Sequence, residues 1–93
     1  MARVFDWDDN KSRENERKHK VSFEEAITVF DDPFVVTIDD ATHSIDEQRL
    51  IDIETSSEGR ILVVVYTELE EQTRIISCRK VTPFERRIYE ERY

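Results

Sequence analysis

Lys18 and His19 stand side by side near the end of a wholly polar run, Asp8 to Lys20, just before a capped amphipathic segment. An ammonium and an imidazole at one junction suit anion binding or acid-base work, since imidazole titrates at roughly pH 6.5 when unperturbed. Lys11, Asn15, Lys18 and His19 are spaced so that on a helix they share a face and can donate to phosphate oxygens. A solvated helix with a His near its C-terminus, where the dipole favours a cation, would contain the same residues. The second cationic cluster is Arg74-Ile75-Ile76-Ser77-Cys78-Arg79-Lys80. Strict alternation sets Ile75, Ser77 and Arg79 on one face and Arg74, Ile76, Cys78 and Lys80 on the other. Arg79 then lies beside a core pattern and, with Arg49 from an earlier strand, makes a cationic patch on the open face of a sheet. Guanidinium groups in such a patch suit phosphate in bidentate geometry. Surface ion pairs with an acidic middle are the alternative reading.

The elements that must position these groups are legible from period and caps. Arg3 to Trp7 alternates, with Trp7 on the side of Phe5, as a short opening strand would. Asp9 to His19 has no apolar residue and predicts an exposed helix with Asp8 as N-cap. Ser22 and Glu25 have capping-box spacing, Val21 precedes the cap, and Phe23, Ala26, Ile27 and Phe30 fall on one helical face. Asp31-Asp32-Pro33 ends that helix. The period then changes to two. Strands are expected over Phe34–Ile38, Gln48–Glu54, Ile61–Thr67 and Arg74–Val81, with a polar turn over Asp39–Asp46 and a turn at Gly59. Short connections imply an antiparallel meander. Thr82, Pro83 and Glu85 open a closing helix whose expected buried face is Phe84, Ile88 and Tyr89, leaving Arg86, Arg87 and Arg92 outward. The fold class is α+β: two N-terminal helices, a four- to five-stranded antiparallel sheet and a C-terminal helix.

Ninety-three residues form one domain, 1–93, with 38% apolar residues for a single core. There is no membrane-length apolar run and no basic-then-apolar leader, so a cytoplasmic location is expected. One Cys, two separated His and one Gly exclude an internal disulfide, metal-ligand spacing and a Gly-rich phosphate loop, so neither a metal nor another cofactor is expected. The net charge of −8 argues alone against nucleic acid, but its distribution is uneven. Residues 31–73 carry two Lys/Arg against twelve Asp/Glu, whereas residues 74–93 carry six against three. A basic end can hold a polyanion locally while an acidic middle meets a basic partner.

Taken in order, FDWDDNKSRENERKHKVSFEEAITVFDDP, DEQR, RILVVVYTE and RIISCRKVTPFERRIY make the sequence resemble the BrnT family, nearly end to end. The resemblance implies a RelE-like fold and an endoribonuclease toxin that cleaves RNA without metal and inhibits translation. It also implies a partner, a small basic ribbon-helix-helix antitoxin of BrnA type, with DNA contacted only through that antitoxin. Exposed strand edges permit a homodimer within the complex. By match to the family's blocks, Lys18 and His19 correspond to its Lys-His pair, and Arg49 and Arg79 to its two arginines. The chemistry of RNA cleavage then suggests His19 as the proton-transfer candidate and Arg49 and Arg79 as phosphate clamps, with Lys18 and Arg74 assisting in holding RNA. Tyr66 is expected to stack on a base. Two positions depart from the family pattern: Lys20, where a Gly is usual, and Leu69, where an Arg is usual. Loss of a cation at Leu69 supports an alternative, a catalytically weakened homologue acting as an antitoxin-binding regulatory module.

Overall fold

The computed structural model describes residues 4–32, 34–39 and 49–91. Pro33, the 40–48 segment with its expected turn and His43, and Arg92 lie outside the described residues.

Strand β1 (Val4–Asp6) leads into helix α1 (Asp9–His19), whose first turn is capped by the Asp8 carboxylate accepting from the N–H groups of Asn10 and Lys11 at 2.8 and 3.1 Å. Those two N–H groups hold the Asp8 carboxyl below its ordinary range, the Lys11 contact contributing most. The helix ends at Lys20, which adopts a left-handed conformation at φ 59° and ψ 31° and donates its N–H to Glu16 O at 2.9 Å. A side chain there is strained where glycine would not be.

Helix α2 spans only Phe23–Ile27 before tightening into a 3₁₀ turn at Thr28–Asp31. Its expected capping box forms by half. Ser22 Oγ accepts from Glu25 N at 3.0 Å, but the Glu25 carboxylate turns inward to Arg60 and Ser56. The Arg60 guanidinium, ahead of opposing burial, holds the Glu25 carboxyl below its usual range.

Strands β2 (Val36–Asp39), β3 (Arg49–Thr55), β4 (Ile61–Leu69) and β5 (Gln72–Lys80) form the expected antiparallel meander, followed by helix α3 (Pro83–Glu90). The turn at Gly59 takes φ 80°, as its sequence suggested. The sheet is nevertheless mixed rather than antiparallel. Its order is β1-β5-β4-β3-β2, and β1 joins β5 in parallel register, Phe5 opposite Thr73 and Asp6 opposite Arg74. The first strand pairs with the last after the whole meander intervenes, so no local turn residue specifies its direction.

One sheet face carries Leu62, Val64, Tyr66, Ile75 and Cys78 under Val21, Phe23, Ala26 and Val29. Phe5, Trp7 and Phe30 extend this core through tilted and edge-on ring contacts at 5.0–5.8 Å. The other face buries Ile53 and Val63 beneath Tyr89 of α3. The expected buried face of α3 is corrected: Phe84 and Ile88 are exposed, and Tyr89 is the buried residue. Glu85, one turn before Tyr89, is tied to Arg79 on β5, and Tyr89 OH binds Asp32 and Thr55; these contacts fix the rotation of the helix.

Candidate active site

Beyond Arg74, β5 extends past its pairing with β1, and α1 lies against it there. The buried amide of Asn15 closes this edge. Its Nδ2 donates to Cys78 O at 2.9 Å and Val21 O at 3.0 Å, while its Oδ1 accepts from Cys78 N at 3.1 Å. The side chain thus replaces the hydrogen bonds that a neighbouring strand would make. A buried polar group on an otherwise solvated helix is stable only when so paired. Cys78 itself is packing: burial pushes its thiol up to about 12.

With Asn15 fixed, α1 and β5 bound an open cleft of about 190 Å³. Lys11, Glu14, Lys18 and His19 line it from α1, with Asn15 between them, and Ile76 and Ser77 line it from β5. The expected stripe of Lys11, Asn15, Lys18 and His19 therefore does border one cavity, although Asn15 serves the fold rather than a ligand. Lys18 and His19 are both exposed.

The β5 side of the cleft differs from strict alternation. A register shift sets Tyr66 opposite Ile75 but Val65 opposite Ser77, so Ile76 is an extra residue. The bulge reverses the parity of the strand midway. Ile75 and Cys78 both point into the core, whereas Arg74, Ser77 and Arg79 share the other face. Arg74, assigned by alternation to the face opposite Arg79, is brought onto the same face.

Arg79 extends toward α3, where Nη1 and Nη2 donate to the two carboxylate oxygens of Glu85 at 2.7 and 2.8 Å. That guanidinium holds the Glu85 carboxyl down to about 2. Arg74 Nη1 donates to both carboxylate oxygens of Asp6 at 2.7 Å. Arg49, partly buried, lies opposite Thr67, itself opposite Arg74. Arg79 lies opposite Val63, in the row of Ile53. Arg49 and Arg79 thus share a face but are offset by four residues along the strands, about 13 Å at 3.3 Å per residue. They sit at opposite ends of that face, not around one phosphate.

Tyr66 is displaced from the role expected of it. It is 4% exposed, its ring packs edge-on against Phe30, and its OH donates to Asp52 at 2.9 Å. Burial, and then the Asp52 carboxylate, push the phenol above its ordinary range. It belongs to the core on the face away from the arginines. Leu69, 77% exposed, ends β4 opposite Gln72, two residues along the strands from the Thr67–Arg74 pair. Among the described residues, no group of His, Cys, Asp and Glu is arranged to hold a metal ion, and no helix is long and apolar enough to cross a membrane.

Sequence reasoning did not single out Asn15 as a structural clamp, Ser77 as a wall of the cleft, or Asp6 and Glu85 as partners of the arginines. Glu85 had a signal, since its capping-box position was plain. The others depend on contacts between residues distant in sequence.

The fold and this margin define a small α+β protein that presents an imidazole and a lysine beside a strand carrying two arginines on one face. The sequence matches the family described as ribonuclease toxin, BrnT, of type II toxin–antitoxin systems over residues 7–85, and the chain belongs to that family. In shape it is similar to the crystal structure of the Brucella abortus ribonuclease toxin BrnT, with a TM-score of 0.66 and 18% identity, covering 87% of this chain and 99% of that one. No curated protein sequence matches the chain. Family membership makes it a toxin-family ribonuclease of a type II system; the structural likeness, at that identity, carries the fold.

Proposed function

We propose that the chain is an endoribonuclease that cuts RNA in the cytoplasm by attack of a ribose 2′-OH on the adjacent phosphate, without a metal, and so inhibits translation. The observation that carries this reading is the cleft in which Lys18 and His19 face Ser77, on the strand that bears Arg74 and Arg79. Such cleavage needs proton transfer from the 2′-OH and to the 5′-oxygen, with stabilisation of charge on the crowded phosphorane. His19 is exposed beside two cations and takes the proton-transfer role. Arg79 stabilises the phosphorane, Lys18 and Arg74 hold the strand, and Arg49 contacts a phosphate further along the same face. Tyr66 has no part in this scheme. A small basic ribbon-helix-helix antitoxin of BrnA type is the proposed neutralising partner, with operator DNA bound through it.

Expression of this chain alone in bacteria should arrest growth and fragment RNA, and Arg79→Ala should relieve both. Normal growth and intact RNA, with soluble protein present, would contradict the reading. The weakened-module alternative is favoured by one observation, that Arg74 and Arg79 are each paired to a carboxylate. On that alternative the chain would bind its antitoxin and leave RNA intact.

A further inference from the structure

Arg79 is the strongest candidate on the sheet for holding a phosphate, yet its guanidinium is already engaged in the geometry that a phosphate would use. Nη1 and Nη2 meet the two oxygens of Glu85 at 2.7 and 2.8 Å, a bidentate arrangement like that made with phosphate. The pair is partly accessible, with the Arg79 side chain 40% and the Glu85 side chain 22% exposed, so an incoming anion can reach it. Glu85 has a second task. Its Oε1 accepts from Thr82 N at 2.9 Å while Thr82 Oγ1 accepts from Glu85 N at 3.2 Å, completing the cap of α3. Glu85 therefore stays anchored by the cap whether or not Arg79 is bound to it. Only the arginine has to turn for the contact to exchange.

We propose that Glu85 is an intramolecular stand-in for an RNA phosphate, occupying Arg79 in the free protein and lowering RNA affinity until a backbone phosphate displaces it. The inference rests on the reading of this face as the RNA site and adds the residue that sets its strength. A guanidinium neutralised by a carboxylate adds little to polyanion binding, because affinity for single strands follows the phosphates the protein neutralises with released counterions. Glu85 remains ionised throughout the neutral range, since its carboxyl is held down to about 2. The restraint is therefore constant at working pH and is relieved by ligand rather than by protonation.

Glu85→Gln isolates the charge, because glutamine at this helix position can still accept from the Thr82 N–H. The probe is a 2′-O-methyl RNA oligonucleotide, which lacks the attacking hydroxyl and permits equilibrium binding. Glu85→Gln should bind it more tightly than the wild-type chain. The slope of log affinity against log salt should steepen by about 0.7, the value for one added phosphate contact on a single strand. Its advantage should consequently shrink about 2.6-fold between 50 and 200 mM salt. The gain should vanish in the Arg79→Ala/Glu85→Gln double variant. Thr82→Ala, which loosens the cap without changing charge, should leave affinity and slope where they were. Equal or weaker binding by folded Glu85→Gln, or an equal gain from Thr82→Ala, would overturn the inference while leaving the RNA site standing. Failure of all these proteins to bind the oligonucleotide would overturn the RNA site and the inference with it.

Discussion

Asn15→Ala should be among the most damaging single changes on α1, although the helix is otherwise solvated. The substitution removes the amide's hydrogen bonds to Val21 and Cys78 and strands the buried N–H and C=O of Cys78. Each buried group left unpaired costs about 1–3 kcal/mol, and water entering from the adjacent open cleft offsets part of that. A net loss of about 3–4 kcal/mol follows, a large share of the roughly 5–14 kcal/mol available to a domain of this length. At about 4–8 °C per kcal/mol, thermal unfolding should shift down by at least roughly 12 °C. Scanning calorimetry with urea titration measures both quantities. Asn15→Asp preserves shape but points carboxylate oxygens at the Val21 and Cys78 carbonyls, so it should be no better than alanine at neutral pH. It should recover partly as the carboxyl protonates. A loss below about 1 kcal/mol for Asn15→Ala would refute the claim that this amide holds α1, and with it Lys18 and His19, against β5.

Other substitutions bear on the same face. Lys20→Gly should stabilise the fold by about 0.5–1 kcal/mol, because relief of the left-handed strain outweighs the added freedom of the unfolded chain; a melting temperature unchanged or lowered would contradict this. The folded-state pKa of Glu85 lies below its ordinary value, so its contribution to stability is full above about pH 4.5 and is lost as pH falls toward about 2. The difference in melting temperature between the wild-type chain and Glu85→Gln should therefore collapse across that window and stay constant at neutral pH. Leu69→Arg adds a cation two residues along the strands from the Thr67–Arg74 pair and should steepen the salt dependence of RNA binding by about 0.7; an unchanged slope would place RNA elsewhere.

The local elements were legible because caps and periods are local. Asp8, Thr82, Pro83 and Gly59 do what their types suggest. The alternation of β1 correctly joined Phe5 and Trp7 to one core. Three features resisted for physical reasons. The parallel pairing of β1 with β5 links residues far apart in sequence, with no turn to announce it. The bulge at Ile76 reverses parity within β5, so period-two reading separated Arg74 from Arg79. A near-continuously apolar central strand offers no sign of which face Tyr66 occupies, and the ring expected to stack on a base lies instead in the core, where Asp52 accepts from its hydroxyl. The cleft was partly legible. Spacing on α1 grouped Lys11, Lys18 and His19, but only the tertiary fold brings them to Ser77. The acidic middle also reads differently in three dimensions, since Asp52 and Glu54 are buried and do not add to an exposed acidic surface.

The most direct measurement is cleavage of a single-stranded RNA by the purified protein in excess EDTA, with end-group analysis of the fragments. Attack by the 2′-OH predicts 2′,3′-cyclic phosphate ends, and His19→Ala should slow their appearance by about 10²–10⁴-fold without loss of folding. Dependence on a divalent ion, or undiminished cleavage by folded His19→Ala, would contradict the account.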